Sequence, residues 1–467
     1  MPLTLFGRQF YIPTWILIAS VLITLIVFSL LVGFAAGNGN LILLALLLGP
    51  PLLGLGLSFA SRYFQFLVLA LPLTTLTMPS FELPTGTESR LPWSLLLTLL
   101  LTLLWCITMF QRGWILRPSL LNRPILTLGA VFIISLVWGL IWRDPVLINA
   151  PKFIVTQIGA MITLLISLSA CLLVGNFFSS ERQLKYMVGV FIGLGFLMTL
   201  ILLGKVNPSF LNARGLWGTW MIASAYGLMI AQPKIGWHWR TCLFVIILLT
   251  FYQTMVINAD WLSGWMPSVI AVVAITFLHS WKAFLALVVI GVVAIILSLG
   301  FFEQVAQDNV DDGSLERLEI WSQNWRVVQD HWLLGTGPAG YAIYYMTYFP
   351  TTARSTHNNY LDIVAQFGFV GMAIWLWLSV ASIWEGWRLI HRTPPGFLHS
   401  LAIIATGGWI GAMGSMVFGD WVLPFAYNQG IAGFKYTVYS WLFLGTLISI
   451  RHLLDAPSAP VADPAVI

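Results

Sequence analysis

Apolar stretches about 20 residues long recur along almost the whole chain, and no other feature limits the fold as tightly. They run at 15–36, 41–59, 63–78, 93–111, 124–142, 153–178, 185–204, 215–232, 240–258, 262–280, 282–302, 357–386, 399–419 and 431–450. A stretch of this length crosses the hydrocarbon core of a bilayer as a helix. Composition agrees: 8% of the 467 residues are charged and 59% are hydrophobic, where soluble proteins carry about 25% charge. The expected fold is an all-α polytopic membrane protein of about 12–14 transmembrane helices, with one long outer-face loop containing amphipathic helices. Gly49-Pro50-Pro51 predicts a kink or re-entrant turn in the second stretch. Trp281 alone separates two others, which predicts a tight turn.

The first stretch has no small-residue cleavage site after it and is expected to stay as a span. With the N-terminus in the cytoplasm, thirteen Lys and Arg fall on the inner side and nine on the outer, three of the nine in one long loop. Short loops set orientation, and in those the count is thirteen to six. The basic residues lie singly between spans rather than as a patch, so the net charge of +5 gives no reason to expect nucleic-acid binding. Cys106, Cys171 and Cys242 sit in apolar stretches with no metal or disulfide spacing and read as small core residues.

The expected organisation is an N-terminal transmembrane bundle (1–302), an external loop with catalytic helices (303–356), C-terminal spans (357–454) and a disordered cytoplasmic tail (455–467). Within the loop, Leu318, Trp321, Trp325, Val328 and Trp332 follow the spacing of one helical stripe. Trp-rich stripes suit a helix lying at the membrane interface. Ser314 can cap that helix, and Gly335, Gly337 and Pro338 end it. Arg317 falls in the first turn, where its charge opposes the helix dipole. It is paired with Glu316 or Glu319, solvated, or held for a ligand.

The passage "ARSTHNNYLDIVAQFGFVG" (353–371) gathers polar residues just before an apolar run. Ser355 or Thr356 is a plausible N-cap, which would put His357 in the first turn of the helix, where the dipole disfavours imidazolium. A neutral imidazole accepts a proton, as a general base must. Arg214, in "NPSFLNARGLWGTW", is a third outer-side group beside Gly215. Guanidinium forks hold phosphate oxygens bidentately. Two such cations and one imidazole fit glycosyl transfer from a lipid diphosphate sugar.

"RLEIWSQNWRVVQDHWLLGTGPAGY", followed by "THNNYLDIVAQFGFVGMAIWLWL", resembles the core of the O-antigen ligase / O-antigen polymerase superfamily. "ARG" at 213–215 resembles that family's earlier outer-side arginine. The resemblance implies a metal-independent, inverting glycosyltransferase of GT-C type in the bacterial cytoplasmic (inner) membrane, with its active site on the periplasmic face. It implies no cofactor, a lipid-linked oligosaccharide donor on undecaprenyl diphosphate, and a glycolipid or other glycan acceptor. By motif, His357 is the base, Arg214 and Arg317 bind the diphosphate, and Arg354, Asn358 and Asp420 are accessory. The chain departs from the family pattern in 258–269, which holds no arginine, and at Gln366, where an acid is common. A polysaccharide polymerase of the same superfamily and a polyprenyl-linked sugar flippase are the alternatives. Flippases bury charge in mid-span, and these spans hold almost none.

Overall fold

The computed structural model describes residues 2–5, 8–11, 54, 63–77, 80–82, 90–113, 116–147, 153–205, 215–259, 262–300, 315–350 and 355–455. The apolar stretches 15–36 and 41–59, apart from Gly54, lie outside them, as do 301–314, 351–354 and the tail after 455. The chain divides into two units, Met1–Phe64 and Gln65–Ile467. Of the first, a short antiparallel pair is described, β1 (Pro2–Leu5) with β2 (Arg8–Tyr11).

The second unit is helical, as the apolar stretches predict. In order come α1 (Phe64–Thr77), α2 (Trp93–Arg112), α3 (Asn122–Ile141), α4 (Phe153–Phe177) and α5 (Glu181–Leu203). Then follow α6 (Trp217–Ala231), α7 (Trp237–Phe251, continued by a π-helical stretch Tyr252–Ile257), α8 (Leu262–His279) and α9 (Trp281–Leu297). The remainder are α10 (Leu315–Asp330), α11 (Tyr341–Tyr348), α12 (Asn359–Arg392), α13 (Phe397–Ser415), α14 (Ala426–Gln429) and α15 (Phe434–Asp455). Among the described residues, nine helices are long and apolar enough to cross a membrane. A second short strand pair, β3 (Ser80–Glu82) with β4 (Arg90–Pro92), precedes α2. The turn between α8 and α9 is as tight as the lone Trp281 requires: Ser280 ends one helix and caps the next, accepting from Ala283 N.

Burial ranks the helices. The span windows in α4 and α13 are 72% buried and that in α15 is 78%, whereas that of α7 and its extension is 28%. The first three therefore form the centre, and α7 faces outward. Small residues let the central helices approach: a Cβ on Gly445 of α15 would lie 2.4 Å from the Cys171 carbonyl oxygen of α4. Trp375, Trp409 and Trp441 are fully buried and pack edge to face or tilted between α12, α13 and α15. Hydroxyls inside spans, such as Thr98, Thr163 and Ser167, donate to the carbonyl one turn back, which satisfies them without water. Cys171 is buried as expected; Cys242 is exposed on α7, because that helix turns most of its surface outward.

The two ends of the bundle differ in charge. At one end, Arg117 donates to the carbonyls of Gly175 and Phe178, Lys185 lies over the Phe397 ring, Arg392 pairs with Asp455, and Arg451 pairs with Glu385. At the other end lie β4, the start of α12, the end of α13 and the start of α15, together with α10 and α11.

Candidate functional site

The site end is built around a break in a helix. Gly368 has φ +65° inside α12, which splits it where the sequence predicts a continuous span. A helix broken within an apolar layer leaves backbone groups that must be satisfied. The turn after α10 satisfies them. Thr336 N and Gly337 N donate to the carbonyls of Ala365 and Gln366, while Phe369 N and Val370 N donate to those of Trp332 and Leu333. The contact is so close that a Cβ on Gly335 would lie 2.3 Å from the Gln366 carbonyl carbon. Here the "LLGTG" and "FGFVG" pieces explain each other. Gln366 locks the turn from its side chain, its Oε1 accepting from Ala339 N at 2.6 Å.

Ahead of the break, each residue of "STHNNY" has a place. Asn358, not Ser355 or Thr356, is the N-cap: its Oδ1 accepts from Tyr360 N and Leu361 N. His357 therefore sits just outside the helix rather than in its first turn, because Thr356 is turned inward to the Asp362 carboxylate at 2.5 Å. Asn359 clamps the stretch after α13. It accepts from Val422 N and Leu423 N, both at 3.1 Å, and donates to the Leu423 carbonyl at 2.8 Å. Tyr360 OH donates to the Met413 carbonyl at 2.9 Å.

His357 is half-buried and has φ +48°, a left-handed backbone in a residue with a side chain. Such conformations persist only where the surroundings enforce them, and they collect at functional sites. The enforcement comes from both sides. Ser355 Oγ accepts from His357 N at 3.3 Å and donates to Asp420 Oδ2 at 3.1 Å. Trp321 Nε1, on α10, donates to the Thr356 carbonyl at 2.9 Å.

Beneath this turn lies a buried acid cluster that sequence reasoning only partly found. Asp420, expected as accessory, is 1% exposed, and Asp362 is 2% exposed. Asp362 accepts from Tyr341 OH at 2.5 Å and is hydrogen-bonded to Asp420. Tyr341 is fully buried, and burial together with the two acids pushes its phenol well above the ordinary value, so it stays a donor. Tyr341 and Asp362 are 21 residues apart, and no local pattern joins them.

Arg317 is half-buried on α10, one turn before Trp321 and on the same face. Among the described residues it makes no ion pair; Glu319 accepts from Gln323 instead. The buried side of α10 is Ile320, Asn324, Val327 and Val328, while Leu318, Trp325 and Trp332 are exposed. The predicted single stripe thus divides, because Val328 faces the core and the Leu318–Trp325–Trp332 seam faces out. Arg214 and Arg354 lie outside the described residues. Gly215, next to Arg214, has φ +82° and packs on the Tyr436 backbone at the start of α15. Trp441 of α15 bonds the Val422 carbonyl, and Val422 bonds Asn359. A continuous run of contacts therefore joins the residue after Arg214 to the turn that carries His357.

Residues 210–376 match a family model described as O-antigen ligase. The matched stretch is about a third of the chain and contains Arg214, Arg317, Arg354, His357 and Asn358; Asp420 lies beyond it. No curated protein matches the chain. The resemblance to the O-antigen ligase superfamily holds over that stretch, and with it a broad assignment to glycan transfer at a membrane.

Proposed function

We propose that this protein transfers a glycan from a polyprenyl diphosphate donor, of the undecaprenyl type, to a hydroxyl on a glycolipid or other glycan. The reaction takes place at the outer face of a bacterial cytoplasmic membrane. His357 is the general base, and Arg214 and Arg317 hold the diphosphate. The acceptor oxygen attacks C1 of the donor sugar while its proton passes to the imidazole. The bond from C1 to the diphosphate oxygen breaks, and its electron pair leaves with the polyprenyl diphosphate. One displacement inverts the anomeric centre, with no metal or cofactor taking part.

The observation that carries this reading is the enforced left-handed backbone at His357, held from one side by the helix that bears Arg317 and from the other by Ser355 and Asp420. Strain of this kind costs about 1–3 kcal/mol and collects at functional sites. Arg317, half-buried and unpaired among the described residues, is a cation in want of an anion. The outer location is supported by the concentration of Arg117, Lys185, Arg392 and Arg451 at the opposite end of the bundle. Arg354, Asn358 and Asp420 act as accessory groups, Asn358 by starting α12 and Asp420 by holding Ser355.

The test is direct. Purified protein is given a polyprenyl-diphosphate oligosaccharide, and candidate acceptors are offered one at a time, with and without chelator. Chelator-resistant transfer to one acceptor class, with release of polyprenyl diphosphate, is the expected result. Movement of intact donor across a vesicle membrane with no bond cleavage would make the protein a carrier instead.

A further inference from the structure

A second polar cavity lies at the same end of the bundle, between the end of α3, the C-terminal half of α10, and α11. Its volume is about 500 Å³, and its lining includes Trp142, Asp144, Arg326, Asp330, His331 and Tyr348. None of these residues has a part in the chemistry described above. Resting on the glycan-transfer reading, we propose that this cavity is a subsite for a sugar ring of the glycan, away from the reacting sugar.

The chemistry of the lining favours a neutral, many-hydroxyl ligand with one apolar face. Trp142 and Tyr348 are 59% and 44% exposed. Each offers a ring with a polar tip, suited to the C–H face of a pyranose. Arg326 and Asp330 sit one turn apart on α10, yet among the described residues they form no ion pair with each other. They present a fork of donors and a pair of acceptors to the cavity. Asp144 is already engaged, accepting from Tyr348 OH and Val146 N, which keeps its carboxylate below the usual range and fixes the Tyr348 ring. His331 stacks edge-on to Tyr344 at 4.7 Å, and burial pulls its pKa below the ordinary value, which favours the neutral imidazole.

Other ligands fit less well. Two carboxylates against one guanidinium oppose a phosphate. Asp144, Asp330 and His331 are not grouped to hold a metal ion among the described residues. An ammonium headgroup would meet Arg326. The volume falls in the range of small-molecule sites, roughly 300–1,000 Å³. From Trp321, which touches the His357 turn, to Asp330 is about 14 Å along the helix at its usual rise. That distance puts the cavity beyond the reacting sugar but within reach of the same glycan.

The experiment uses the full chain in phosphatidylglycerol nanodiscs. The probe is the free oligosaccharide released by mild acid from the host cell's polyprenyl-diphosphate pool, followed by saturation-transfer NMR. Saturable binding to wild type, weakened at least tenfold in both Trp142→Ala and Asp330→Asn and unchanged in Gly189→Ala, where nothing lies within 4 Å, is the expected result. The absence of saturable binding, undiminished binding in either pocket variant, or displacement of the oligosaccharide by phosphoethanolamine would overturn the subsite. The two readings fail separately. Transfer with wild-type oligosaccharide affinity in the pocket variants removes the subsite alone. Pocket-dependent binding without transfer to any acceptor removes the transferase alone.

Discussion

The indole Nε1 of Trp321 donates to the backbone carbonyl of Thr356 at 2.9 Å. This one bond ties the helix that bears Arg317 to the residue before His357. Trp321→Phe keeps an aromatic ring but removes the donor. Transfer is expected to slow about tenfold, equivalent to ~1.4 kcal/mol, with membrane insertion unchanged. Single-turnover rates check this; a wild-type rate would mean that the bond does not position the site.

Arg317→Lys keeps the charge and loses the fork. A point ammonium makes fewer directed bonds to a diphosphate. The expected result is a loss of about tenfold or more in kcat/KM for the donor. Initial rates over a range of donor concentrations measure it, and unchanged kinetics would rule out bidentate contact.

The docked turn makes a prediction about folding. A Cβ on Gly368 would lie 2.2 Å from the Leu333 carbonyl oxygen, and its φ of +65° disfavours any side chain. Gly368→Ala is expected to destabilise the protein by about 3 kcal/mol or more, seen as loss of monodisperse protein on size exclusion. Gly189→Ala, where nothing lies within 4 Å, is expected to behave as wild type.

His331 provides a pH signature. Burial lowers its pKa in the folded state, the opposite of a histidine gaining a partner. The folded protein then binds fewer protons than the unfolded chain near the ordinary imidazole value of about 6.5. Its stabilising contribution is full above that value and is lost as pH falls below it. The melting temperature of wild type is expected to drop from pH 7.5 to pH 5.5 by more than that of His331→Gln. Equal drops would show that His331 is not kept neutral by the fold.

Much of the architecture was legible because transmembrane helices are written locally. Apolar runs such as 153–178 and 399–419 became α4 and α13 with small shifts at their ends. The helix α10 was also legible, since spacing is a local signal, but it ends at Asp330, short of the Gly335 expected to close it, because the chain turns there to dock on the break in α12. The face of α10 was not: whether Val328 or Trp325 is buried depends on what packs beside it. The N-cap was misplaced for a similar reason. Thr356 has the chemistry of a cap, but a carboxylate six residues on, buried with Asp420, takes its hydroxyl instead. Tyr341 and Asp362 left no trace in the sequence, because a bond between distant segments has no periodicity.

The most direct measurement is turnover by His357→Ala in the purified protein, with a polyprenyl-diphosphate oligosaccharide and the acceptor that wild type uses. Removal of the base is expected to lower transfer by about 10²–10⁴-fold, with helical content and donor binding retained. Wild-type turnover by that variant would contradict the assignment of His357 as the proton acceptor.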